Sequence, residues 1–127
     1  VAPHALKVIL RAKGKDRFVL VTDATSAAAS KPGLYPFAGM TIKHAADGSV
    51  REPGSPNLAG SALRLDQAVR NMVAWGFASF EEAVAMASDR PLRLLAPALS
   101  HRGIDARPGA LDWTPDLRPR AYSKSNG

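Results

Sequence analysis

A chain of 127 residues with 46% hydrophobic side chains has the length and composition of one globular domain, with enough apolar surface to bury a core. It has no cysteine, which excludes disulfides and thiolate metal sites, and no apolar run reaches the ~20 residues that a membrane-spanning helix needs. The formal charge is +6, but the basic residues stand mostly singly from Lys7 to Lys124 without interleaved aromatics, a pattern that argues against a nucleic-acid face. A soluble, cytoplasmic protein is expected.

The chain opens at Val1 with neither an initiator methionine nor a signal-peptide pattern, so a piece of a longer protein is expected. Pro3 suits a first helical position, and Ala5, Leu6, Val8, Ile9, Leu10 and Ala12 predict a helix that Gly14 ends. After the charged turn Lys15-Asp16-Arg17, the apolar run Phe18-Val19-Leu20-Val21 predicts a strand buried on both faces. Helix, tight turn and buried strand in that order point to a parallel α/β sheet.

Small residues, Gly and Pro then dominate to Gly60, with Tyr35–Gly39 and Met40–Lys43 as short strand pieces and a hairpin turn at Asp47-Gly48. So long an excursion after a buried strand is usually functional. Ser61 is the expected N-cap of a helix carrying Leu63, Leu65, Ala68, Val69, Met72 and Val73, which Gly76 stops. Ser79 with Glu82 forms a capping box for a helix from Phe80 to about Ala87, and Pro91 opens a short helix ending near Pro97. Met72, Trp75 and Met86 fall at core-like positions. From Ser100 the Arg, Pro and Gly content predicts irregular chain or short strands, and no internal repeat is present.

Asp23 directly follows the expected strand. At the carboxyl end of a parallel strand a carboxylate can be a general base, a metal ligand or both, or it can simply cap a turn. The histidines, His4, His44 and His101, lie far apart without ligand spacing and read as exposed loop or helix-surface residues. Asn57 to Ser61 puts small residues before the expected helix N-terminus, which suits a polar or anionic ligand group or an ordinary cap.

Four segments in register, Leu20-Val21-Thr22-Asp23-Ala24, Leu58-Ala59-Gly60-Ser61, Ala68-Val69-Arg70-Asn71 and Glu82 through Ser88 to Pro91 and Arg93, resemble the last part of the N-acetylglucosamine-6-phosphate deacetylases. The similarity runs from Val1 to about Pro97, and the family's closing Pro-Gly turn and small strand correspond, in shortened form, to Pro108 through Trp113.

This resemblance implies an α/β chain whose residues 1–98 are the C-terminal part of a (β/α)8 metal-dependent amidohydrolase barrel, with 99–127 a tail contributing to a small β-domain. Phe18 to Thr22 would be the eighth barrel strand. Asp23 would lie beside a divalent metal, zinc or iron, as catalytic residue and possible ligand. It would take a proton from the attacking water and return it to the leaving amine, while Leu58, Ala59 and Gly60 would contact substrate.

The implied reaction is metal-dependent hydrolysis of N-acetylglucosamine 6-phosphate to glucosamine 6-phosphate and acetate by a longer enzyme, the chain alone being inactive. The remaining metal ligands would lie upstream. Implied partners are the amino-sugar phosphate, the remainder of the barrel and further copies in a homo-oligomer, with no nucleic acid and no membrane. Another amino-sugar amidohydrolase and a non-catalytic fragment that retains the fold are the alternatives. Because Gly60 lacks a Cβ, a side chain there is expected to block the sugar and raise KM with little loss of stability.

Overall fold

Pro3 has no N–H to leave unpaired in a first turn, and helix α1, Pro3–Lys13, starts there. It ends where Gly14 takes φ 78 and returns its N–H to the Leu10 carbonyl. The computed structural model describes residues 1–106 and 109–121, so Pro108, read as part of a turn, lies outside the described residues.

The described chain forms two compact units, one of Val1–Leu20 with the described part of Val69–Gly127, the other Val21–Ala68. In the first unit a 3-10 turn, Lys15–Arg17, leads into the segment expected to be a buried strand. Phe18 is extended at φ −104 and ψ 133, but Phe18 to Thr22 join no ladder among the described residues. The Leu20 N–H reaches the Met86 carbonyl at 2.9 Å, and Val21 is 77% exposed. An apolar, β-branched run favours extended backbone, yet a strand also needs neighbouring edges to pair with, and the described residues offer it none.

Helix α2, Leu65–Ala74, crosses the boundary between the units. Helix α3, Phe80–Ala87, and helix α4, Asp89–His101, belong to the first unit, as does the antiparallel hairpin of β5, Leu111–Trp113, and β6, Pro119–Ala121. Strands are numbered along the whole chain, so β1 to β4 lie in the other unit. The core of the first unit is Leu10, Val69, Met72, Ala78, Ala83 and Met86, with Phe18 and Leu20 packed against it. Phe80 meets Trp113 edge to face at 5.3 Å. Trp75, expected in the core, is 38% exposed and lies beside Phe77, because Gly76 ends the helix and turns the chain there.

Helix α4 outlasts its expected end at Pro97. An internal proline removes one N–H donor, but here the helix continues to His101 and its last carbonyls are met by the N–H groups of Arg102, Gly103 and Ile104.

The second unit holds a four-stranded antiparallel sheet in the order β1, Gly33–Phe37; β2, Met40–His44; β3, Ser49–Arg51; β4, Leu58–Ser61. Ala38 at φ 50 and Gly39 at φ 79 make the two-residue turn between β1 and β2, where the strand twist demands positive φ at both positions. The expected hairpin at Asp47-Gly48 is β2 to β3, closed by Asp47 Oδ1 accepting the Ser49 N–H at 2.9 Å. Ala27, Ile42 and Val50 form its core, flanked by Tyr35, Ala59 and Ala62.

Ser61 is not a helix cap. It ends β4, its hydroxyl accepts the Leu63 N–H at 2.9 Å, and the helix begins only at Leu65. Small residues before an apolar helical stripe fit a cap in sequence, but here the edge of β3 claims their backbone first.

Candidate functional site

Asp23 stands at φ 53, left-handed backbone that residues with a Cβ seldom adopt. Its carbonyl accepts the Ser61 N–H at 2.9 Å, and the Ser61 carbonyl in turn accepts the Thr25 N–H at 2.9 Å. These two bonds make a single parallel bridge between Ala24 and Ser61, tying the segment after the extended run to the end of β4. The Asp23 side chain is exposed, and among the described residues no donor occupies its carboxylate oxygens.

Gly60 completes the arrangement. At φ 99, its absent Cβ would fall 2.5 Å from Thr25 Cγ2, 3.2 Å from the Asp23 carbonyl oxygen and 3.9 Å from Asp23 Oδ2. The bare face of Gly60 is therefore turned toward Asp23 and Thr25. This changes what a side chain at 60 would meet: not an incoming sugar first, but the backbone and neighbour of Asp23. Leu58, by contrast, is 67% exposed, and Ala59 packs toward the Ile42 cluster. Of the residues singled out in sequence, Asp23 and Gly60 come together, and Leu58 and Ala59 flank them along β4.

Thr25 is the residue that sequence reading missed. It is only 8% exposed, its Oγ1 donates to the Ser61 carbonyl at 3.2 Å, and it accepts the Ala27 N–H at 3.3 Å. The available signal was a threonine two residues before a backbone N–H it could cap, in a stretch of alanines small enough to let the chain fold back on it.

A carboxylate presented this way can accept and return a proton. Asp23 could offer one ligand where zinc takes three or four from protein, and among the described residues no three His, Cys, Asp or Glu side chains gather to hold a metal. His4 and His101 are exposed on helices, as expected. His44 instead lies half-buried on β2, with Nδ1 shielded and unpaired.

The carboxylates held below their ordinary range sit elsewhere and serve turns and caps. Asp47 is lowered chiefly by the Ser49 N–H, Glu82 by the Ser79 N–H and then Lys15, Glu81 by its own N–H and Ser79, and Asp116 by the Thr114 hydroxyl. A cavity of about 550 Å³ in the helical unit is lined by Asp16, Arg17, Val19, Arg90, Arg93 and Leu94. Arg90 there is committed to the Lys15 and Phe18 carbonyls, a structural tie.

No family model matches the chain. It is 40% identical over 97 residues to the N-acetylgalactosamine-6-phosphate deacetylase of Escherichia coli O157:H7, covering 76% of this chain and 23% of that protein. It is 39% identical over 84 residues to the N-acetylglucosamine-6-phosphate deacetylase of Lysinibacillus sphaericus, covering 66% of this chain and 21% of that protein. Among solved structures it superposes with a TM-score of 0.74 and 28% identity on a mutant N-acetyl-D-glucosamine-6-phosphate deacetylase of Mycobacterium smegmatis in complex with N-acetyl-D-glucosamine-6-phosphate, covering 94% of this chain and 32% of that one. The chain spans between 21% and 53% of the length of the curated relatives it matches.

Proposed function

We propose that this chain, whose curated homologues and structural neighbours are N-acetylglucosamine- and N-acetylgalactosamine-6-phosphate deacetylases, is the C-terminal part of a longer enzyme that hydrolyses the acetamide of N-acetylglucosamine 6-phosphate. In this reading residues 1–98 end an amidohydrolase barrel and the tail, with the hairpin β5–β6, joins a small β-domain. The observation that carries the reading is the meeting of Asp23 with Gly60, two positions the family resemblance singles out independently.

Asp23 accepts a proton from water as the water oxygen attacks the acetamide carbonyl carbon. It then gives that proton to the nitrogen as the C–N bond breaks, releasing acetate and the free amino sugar. Amines leave only once protonated, so one carboxylate working in both directions balances the reaction. Leu58, Ala59 and Gly60 border the substrate beside it. The divalent metal of such chemistry is not one these residues hold by themselves, and its other ligands belong to sequence beyond this chain. A cytoplasmic location and a homo-oligomer complete the reading; among the described residues no helix is long and apolar enough to cross a membrane.

The 4-epimer, N-acetylgalactosamine 6-phosphate, is the second substrate to consider, because the galactosamine relative matches at 40% over 97 residues. Acetate release by the full-length protein from the two epimers decides between them. The glucosamine substrate is expected to give the higher kcat/KM, the reverse order assigns the enzyme to the other epimer, and release from neither removes the deacetylase reading.

A further inference from the structure

We propose that Thr25 is a positioning residue for Asp23, holding its backbone left-handed and its carboxylate in one direction by gripping β4 at Gly60 and Ser61. The inference rests on the reading of Asp23 as the proton acceptor. Three observations carry it. Asp23 has φ 53, left-handed backbone that aspartate enters more readily than most residues with a Cβ but that still leaves its direction to the neighbours bonded to it. The two backbone bonds between this segment and Ser61 would form with any non-proline residue at 25, so they do not by themselves explain a threonine. Yet Thr25 is the one buried polar side chain among the described residues outside helices, and both its branches are used.

Its hydroxyl donates to the Ser61 carbonyl at 3.2 Å, doubling the backbone bond to the same oxygen, and accepts the Ala27 N–H at 3.3 Å. Its methyl occupies the space a Cβ on Gly60 would need, 2.5 Å from that position. Hydroxyl and methyl thus close the far side of a clasp whose near side is the Asp23 carbonyl. A proton acceptor misplaced by even an ångström loses much of its rate without losing substrate binding, so a positioning role predicts an effect on kcat rather than KM.

The test compares Thr25→Val, which keeps the methyl and loses the hydroxyl, with Thr25→Ser, which keeps the hydroxyl, and with Asp23→Asn, all in the full-length enzyme. Two readouts are needed: steady-state kinetics, and hydrogen exchange of the peptide carrying Leu58–Ser61. Thr25→Val is expected to lower kcat roughly ten- to a hundredfold at nearly unchanged KM. Exchange in β4 should quicken about two- to tenfold, the worth of one net hydrogen bond. Thr25→Ser should recover most of both. If Asp23→Asn is inactive while Thr25→Val keeps its kcat, or if Thr25→Val changes kcat without touching β4 exchange, the positioning role is overturned and the reading of Asp23 stands. If Asp23→Asn is fully active, that reading fails and the role proposed for Thr25 fails with it.

Discussion

Gly60 shows at the scale of one residue how a missing side chain shapes the site. Its φ of 99 and the 2.5 Å and 3.2 Å approaches to the Thr25 methyl and the Asp23 carbonyl mean that any Cβ must displace Thr25 and crowd the backbone of Asp23. Gly60→Ala is therefore expected to lower kcat more than it raises KM. It should also destabilise by roughly 1–2 kcal/mol, since an L-residue at this φ is strained. Kinetics beside a thermal melt check both, and a raised KM at unchanged kcat and melting temperature would show that position 60 meets substrate before it meets Asp23. The motifs single out Asp23 and Gly60, but nothing in them says that the two lie against each other. Nothing local in Leu58-Ala59-Gly60-Ser61 says that these residues pair as an edge with β3 and Ala24 instead of opening a helix.

At the scale of the element, local chemistry was the reliable guide. Ser79 and Glu82 exchange side-chain and backbone hydrogen bonds as a capping box, with Ser79 Oγ accepting the Glu82 N–H at 3.2 Å and Glu82 Oε2 accepting the Ser79 N–H at 2.8 Å. Ser79→Ala should cost about 1 kcal/mol, read as a shift in the unfolding midpoint. The bond from the Ser79 N–H, and after it Lys15, holds the Glu82 carboxyl below its ordinary value of 4.5. A lowered folded pKa means that Glu82 contributes stability above pH 4.5, and that this contribution fades as the pH falls through the lower folded value. Glu82→Gln should accordingly flatten the acid limb of the stability profile, and an unchanged limb would count against the cap. The hairpin at Asp47-Gly48 was legible for the same reason, because the turn closes through its own residues. Phe18 to Thr22 was not, since strand pairing depends on partners elsewhere in space, and the helix past Pro97 shows that one lost donor need not end a helix.

For the molecule as a whole, helices and strands are mixed as expected, but both sheets are antiparallel, and the run Phe18 to Val21 from which a parallel sheet was expected pairs with no strand among the described residues. The division into units did not follow from composition. The sheet of the second unit builds its own small core on Ile42 and Val50, while the helices gather around Met72 and Met86. Leu34, Leu58, Val21 and Leu94, each more than 60% exposed, carry apolar surface that a composition of 46% hydrophobic residues could not assign to inside or outside.

The central claim is that Asp23, bound into this framework through Ser61, moves the proton of an amide hydrolysis, and one substitution addresses it. Acetate release by full-length Asp23→Asn, with folding checked by circular dichroism, should fall at least about a hundredfold in kcat, because the amide keeps the shape of the carboxylate and cannot accept the proton. Near-normal turnover in a folded Asp23→Asn protein would contradict the account.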